Sequence, residues 1–225
     1  MKFFLFFFIN LLSVFSNNII TLTKNNFVAI DKEISSTNVN EWIRSLNNIT
    51  TNPVYLYINS NGGSVDAGEL LINQINYKKF LNYSVECVAQ KAYSMAFHIL
   101  QSCDKRYITP SSKVMQHQIS LSIPNNQLEN ILNYLEMLKQ IRDNLEIISS
   151  NRIGISLEDY RNKVSSDWWL YGENIIINNV ADEIVYVGCS SELYNETKKI
   201  NKEYFDLNSF SMIKKKTTVD LCPIK

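Results

Sequence analysis

The sequence predicts an α/β fold assembled from repeated strand–helix units and carrying one long amphipathic helix. Three observations predict it. Val54 to Ile58 (VYLYI) is a charge-free run of β-branched, aromatic and aliphatic residues, which reads as a strand buried on both faces of a mainly parallel sheet. Asn59, Ser60, Asn61, Gly62 and Gly63 break that run, and apolar residues at Leu70, Leu71 and Ile75 then resume at helical spacing, making a βα unit. Finally, Leu128, Ile131, Leu132, Leu135, Leu138, Ile141, Leu145 and Ile148 recur with helical period through Gln127 to Arg152, the longest periodic segment of the chain.

The remaining elements follow in order. Phe3 to Phe15 is an almost uninterrupted apolar run, shorter than the roughly 20 residues that span a bilayer. Residues 1–16 therefore read as a hydrophobic leader, either a signal peptide cut before Asn17 or an anchor, with a strand packed on the domain as the alternative. Two short apolar segments, IITL and FVAI, lie between Ile19 and Ile34, and Ser36 to Leu46 is an amphipathic helix with Val39, Trp42, Ile43 and Leu46 on one side. Ser84 to Val88 is a second buried strand, and Lys91 to Ser102 a turn entering a helix. Arg106 to Thr109 and Lys113 to His117 read as two short strands joined through Pro110. Leu157 to Val164 and Tyr171 to Asn178 read as helices, and Val180 to Gly188 as a closing strand. One domain over residues 19–189 results, followed by a polar, basic extension over 190–225, mobile or peripheral, in which Lys214, Lys215 and Lys216 stand in a row.

Composition sets limits. The chain has 225 residues, enough for one α/β domain with a large core, and its 22 basic and 22 acidic residues cancel, so nothing points to nucleic acid as a partner. Cys87, Cys103, Cys189 and Cys222 show no metal-type spacing, and the surroundings of the first two read as those of buried free thiols. Sequons at Asn48, Asn82 and Asn195 are expected by chance in a chain so rich in Asn, Ser and Thr. Compartment stays open between secretory or membrane-associated, from the leader, and cytoplasmic.

Two adjacent glycines between a strand and a helix let backbone approach closely and present N–H groups at a helix start, where negative charge is favoured. The turn is thus set for an anion or an oxyanion. YLYINSNGGSVDAG resembles the YINSPGG-S-V-x-A-G segment of the ClpP family of serine peptidases, with Asn61 in place of the usual proline. The resemblance extends from Phe27 to Gly188, where VADEIVYVG is similar to the family's closing strand. It implies a ClpP/crotonase-like spiral of βα units with a protruding long helix, the handle through which rings of subunits meet. Spacing alone leaves open a helix packed on its own domain.

The resemblance also implies a catalytic set. Ser94 in AYSMAFHIL is similar to the nucleophile of the family's A-A-S-M-G turn, with Tyr93 for a small residue, expected to narrow access, and Ala96 for glycine. His117 in KVMQHQ is similar to the histidine of the family's R-V-M-I-H-Q, and an imidazole suits the removal of a serine proton near neutrality. His98, the only other histidine, lies four residues after Ser94 but falls where the family carries a buried apolar residue, so it reads as packing. Asp167 has the family's spacing to Asp182, which implies that Asp167 orients His117 and that Asp182 is structural. Backbone N–H groups of Gly63 and Met95 would form the oxyanion hole, and a substituent at Gly63 would obstruct it.

The implied activity is that of a serine endopeptidase acting on peptides or unfolded proteins through an acyl-enzyme, in a homo-oligomeric ring, with no cofactor and no metal. Two features depart from the pattern. Ile119 to Asn126 (ISLSIPNN) lacks the glycines of the family's substrate-binding segment, and the leader occupies the place of the axial loops that meet an AAA+ ATPase. Partnership with such an ATPase therefore does not follow. The other readings are a catalytically impaired scaffold subunit, a membrane-associated ClpP-class peptidase with a Ser–Lys dyad, and a crotonase-type acyl-CoA enzyme.

Overall fold

A computed structural model describes residues 18–120, 128–206 and 211–224. The leader, and residues 121–126 of the altered segment after His117, lie outside the described residues. The chain is α/β, as expected. Strands β1 (Ile19–Leu22) and β2 (Phe27–Ile30) lead to helix α1 (Ser36–Asn48), strand β3 (Val54–Ser60), helix α2 (Val65–Phe80), strand β4 (Val85–Tyr93), helix α3 (Met95–Gln101) and strand β5 (Lys105–Gln116). Helices α4 (Leu128–Ile153) and α5 (Leu157–Lys163), strand β6 (Trp168–Tyr171), helix α6 (Glu173–Ile177) and strands β7 (Glu183–Ile184) and β8 (Tyr186–Cys189) follow. Helix α7 (Ser191–Tyr194) and strands β9 (Thr197–Asp206) and β10 (Ser211–Asp220) complete it.

The main sheet has six strands in the order β2-β3-β4-β5-β6, with β7 also on β5. Strands β2 to β5 run parallel, while β6 returns antiparallel along the second half of β5. Alternation along these strands explains why their sequences are apolar throughout. Leu56, Ile58, Cys87, Ala89 and Ile108 face the helices, while Tyr57, Val88 and Tyr107 face a second core with Ile20, Leu22, Val185 and Leu193. Each fully buried aliphatic side chain contributes about 1.5–3 kcal/mol over exposure. Ser35 and Ser64 cap α1 and α2 by accepting from the N–H of Asn38 and Ala67, and the second cap fixes where α2 starts after the glycines.

Three local expectations are corrected. The helix expected over Tyr171 to Asn178 forms only from Glu173 to Ile177: Tyr171 ends the strand WWLY, which pairs with Lys113 to Gln116, and Gly172, at φ 53°, breaks the chain before α6. Lys105 to Gln116 forms one strand of 12 residues rather than two. Pro110 is exposed where the β5 partner changes from β7 to β6, so its missing N–H removes no ladder bond. Cys87 and Cys103 are buried but joined in a disulfide rather than free, because β4 and the turn after α3 bring their Cα atoms to 5.8 Å.

Helix α4, 26 residues long, exposes Leu132, Tyr134 and Met137 and buries Leu145, Ser149 and Ile153 toward its C-terminal end. After β8, β9 and β10 pair antiparallel, and a Cys189–Cys222 disulfide joins the end of β8 to the residues after β10. Among the described residues no helix is long and apolar enough to cross a membrane.

Candidate active site

The site lies at the carboxyl ends of the parallel strands β3, β4 and β5, where open α/β sheets bind their ligands. Ser94 joins β4 to α3 at φ 53° and ψ −123°, a conformation that few residues other than glycine hold. Such a strand–turn–helix elbow thrusts the hydroxyl out of the sheet. Two bonds keep it bent: the Ser94 N–H donates to the Met115 carbonyl at 2.9 Å, and the Phe97 N–H donates to the Ser94 carbonyl at 2.9 Å.

His117 directly follows β5, and its Nε2 lies 2.9 Å from Ser94 Oγ. A half-buried imidazole at hydrogen-bond distance from a serine hydroxyl is placed to take its proton. A cavity of about 50 Å³ opens beside the pair, lined among others by Gly63, Met95, His98 and Gln116. Tyr93 does not line it: its ring meets Trp169 edge to face at 5.0 Å, on the β6 side.

The glycine turn is stitched to the chain before α1. The Ile34 N–H donates to the Gly62 carbonyl at 2.9 Å, and the Ser64 N–H to the Ile34 carbonyl at 2.8 Å. A Cβ on Gly63 would collide with the Ile34 backbone, so packing of the turn by itself demands this glycine. Gly62 is the residue that faces Ser94: its Cβ would lie 2.8 Å from that of the serine. Gly68 lets α2 pass against the side chain of Met95. Among the described residues the N–H groups of Gly63 and Met95 meet no acceptor.

Asp167 is not brought into contact with His117. The antiparallel pairing of β5 and β6 ends at Gln116 and Trp168, and one more step in that register sets His117 opposite Asp167. The carboxylate is nevertheless exposed and makes no hydrogen bond or ion pair among the described residues. Asp182, read as structural, accepts from the Arg106 backbone N–H at 2.8 Å and from its Nε at 3.2 Å. Burial alone would raise its pKa, but the Arg106 hydrogen bonds and the charges of Arg106 and Arg152 prevail and hold it below the usual carboxylate range.

His98 is buried, as expected of a packing residue, yet both its ring nitrogens have polar partners. Nδ1 lies 2.8 Å from Ser149 Oγ and Nε2 lies 2.8 Å from Gln116 Nε2. Sequence reading missed this network; two polar residues at positions where the resembling pattern is apolar, Gln116 and His98, were the signal for it. Burial, and secondarily the charge of His117, push the His98 pKa down from 6.5 to about 4. Between those values the unfolded chain binds a proton that the folded chain refuses, so stability is full above about pH 6.5 and falls toward pH 4, by about 3 kcal/mol. In His98→Phe the melting temperature is expected to vary less across that window; an equally steep dependence would place its origin elsewhere.

Fold and site together define an α/β protein in which a serine hydroxyl, an imidazole and two unengaged backbone N–H groups converge at the carboxyl ends of a parallel sheet. A family model described as Clp protease matches residues 13–187, well over half of the chain, and the protein belongs to that family. Its members are peptidases, generally oligomeric, that act on peptides or proteins.

Proposed function

We propose that the protein is a serine endopeptidase that hydrolyses peptide bonds through an acyl-enzyme. The observation that carries this reading is the Ser94–His117 contact of 2.9 Å on a strained elbow beneath two unengaged amides. His117 Nε2 takes the proton of Ser94 Oγ as the oxygen attacks the scissile carbonyl carbon. The Gly63 and Met95 N–H groups hold the resulting oxyanion, each contributing about 3–4 kcal/mol in the transition state. Imidazolium then gives its proton to the departing amine, and a water repeats the sequence to release the acid and restore Ser94. Asp167 supports Nδ1 of His117 once the carboxylate turns inward across the extended β5–β6 register.

Helix α4 serves as the handle of a ClpP-like spiral, and subunits assemble as a homo-oligomeric ring. No ATPase partner is proposed. A fluorophosphonate reagent is expected to label Ser94 in the assembled protein, located by mass spectrometry, and mass photometry is expected to find a ring-sized particle. Failure to label an assembled, unliganded sample would favour a scaffold subunit, in keeping with the outward position of Asp167.

A further inference from the structure

We propose that Gln116 is a positioning residue for His117: its side-chain amide pegs the His117 backbone to the buried His98 imidazole and thereby to helix α4. This rests on His117 being the general base. Gln116 ends β5 with its side chain buried, and its Nε2 donates to the His117 carbonyl at 3.2 Å and to His98 Nε2 at 2.8 Å. One amide group thus spends both its hydrogens. A Gln116 amide turned over would set oxygen against the His117 carbonyl, acceptor on acceptor, so the chemistry fixes its orientation.

The peg is itself anchored. With Nε2 accepting from Gln116, His98 carries its proton on Nδ1 and donates it to Ser149 Oγ, fully buried in α4. The imidazole stays neutral at ordinary pH because burial disfavours its charge, which keeps Nε2 available as an acceptor.

Stability does not account for this arrangement. Gln116 Oε1 is buried without a hydrogen-bond partner among the described residues. A leucine of similar size would leave no such orphan and a phenylalanine in place of His98 would need no partners, so an apolar pair would serve the core better. What the amide adds is a hold on the residue just beyond the last rung of β5. That hold matters because no described side chain engages the far side of the His117 ring, Asp167 being turned to solvent.

The full chain is compared with Gln116→Leu, His98→Phe and the double variant for peptidase kcat and KM, Ser94 labelling by fluorophosphonate, and melting temperature. Each single variant leaves a buried partner unpaired and is expected to lower the melting temperature somewhat; beyond that, kcat per labelled serine is expected to fall about 10- to 100-fold with KM maintained, and the double variant to fall no further, since the two residues act as one unit. His98→Gln, whose amide oxygen can accept the same hydrogen bond, is expected to retain most of the activity. A fall in melting temperature with kcat per labelled serine unchanged overturns the proposal. If the unaltered protein neither labels nor cleaves, the peptidase reading fails, and solid-state spectra of nitrogen-15 histidine-labelled protein decide the positioning claim with only 2 imidazoles to resolve. His98 is then expected as the Nδ1–H tautomer and Gln116→Leu is expected to move the His117 ring signals; unmoved His117 signals overturn the proposal.

Discussion

Ser94→Ala is expected to lower kcat by about 10⁴-fold or more while KM changes little, because in the proposed mechanism the hydroxyl is the attacking atom and takes small part in ground-state binding. His117→Ala is expected to lose nearly as much, and the double variant little further, since Oγ and Nε2 act through one shared proton across 2.9 Å. Steady-state kinetics on a fluorogenic peptide would measure all three, with melting curves to confirm that the fold survives. Additive losses, or a His117→Ala protein near full rate, would mean that the 2.9 Å contact is not the catalytic one.

The second large effect falls on a residue without reactive chemistry. Gly62→Ala would set a methyl group 2.5 Å from the Tyr93 carbonyl oxygen and 2.8 Å from Ser94 Cβ, at a φ of 93° that already disfavours alanine. The collision partners are backbone and the nucleophile's own carbon, which cannot swing away as a long side chain would. We expect activity to fall about 10²-fold or more, since a displacement of about an ångström at the reacting atoms suffices for that. Stability is expected to drop by roughly 2–4 kcal/mol. Gly188→Ala is the control: its Cβ would meet only Ile19 Cγ2 at an ordinary 3.9 Å, and both activity and melting temperature should stay within error. Gly62→Ala with unimpaired rate would show that the elbow tolerates movement and that its strain is incidental.

Much of this was legible because the residues concerned act locally. The charge-free VYLYI strand, the paired glycines and the helix start after Ser64 follow from neighbouring residues, and the structure places them accordingly. The Ser94–His117 contact was readable only through motif resemblance, since two loops distant in sequence had to meet. Sequence alone draws Tyr171 into the following helix because its pairing partner lies across β5, and sheet propensity takes effect only where a partner strand exists. Pro110 suggested a break because its neighbours cannot announce that β5 changes partners there. Pairing of Cys87 with Cys103 depends on the fold bringing β4 and α3 together, and spacing does not encode that. His98 looked like filler because its partners, Ser149 and Gln116, sit on other elements of the chain.

Ser94 and His117 hang from the ends of adjacent strands whose last rungs join Ala92 to Val114 and Tyr93 to Met115. Their separation is therefore dictated by sheet register, and a slip of one residue would carry the imidazole to the opposite side of the sheet. Such a machine has no gradual way to lose alignment. In a urea titration its turnover should vanish in step with the ellipticity of the strands, so that catalytic rate becomes a direct gauge of how much intact enzyme remains.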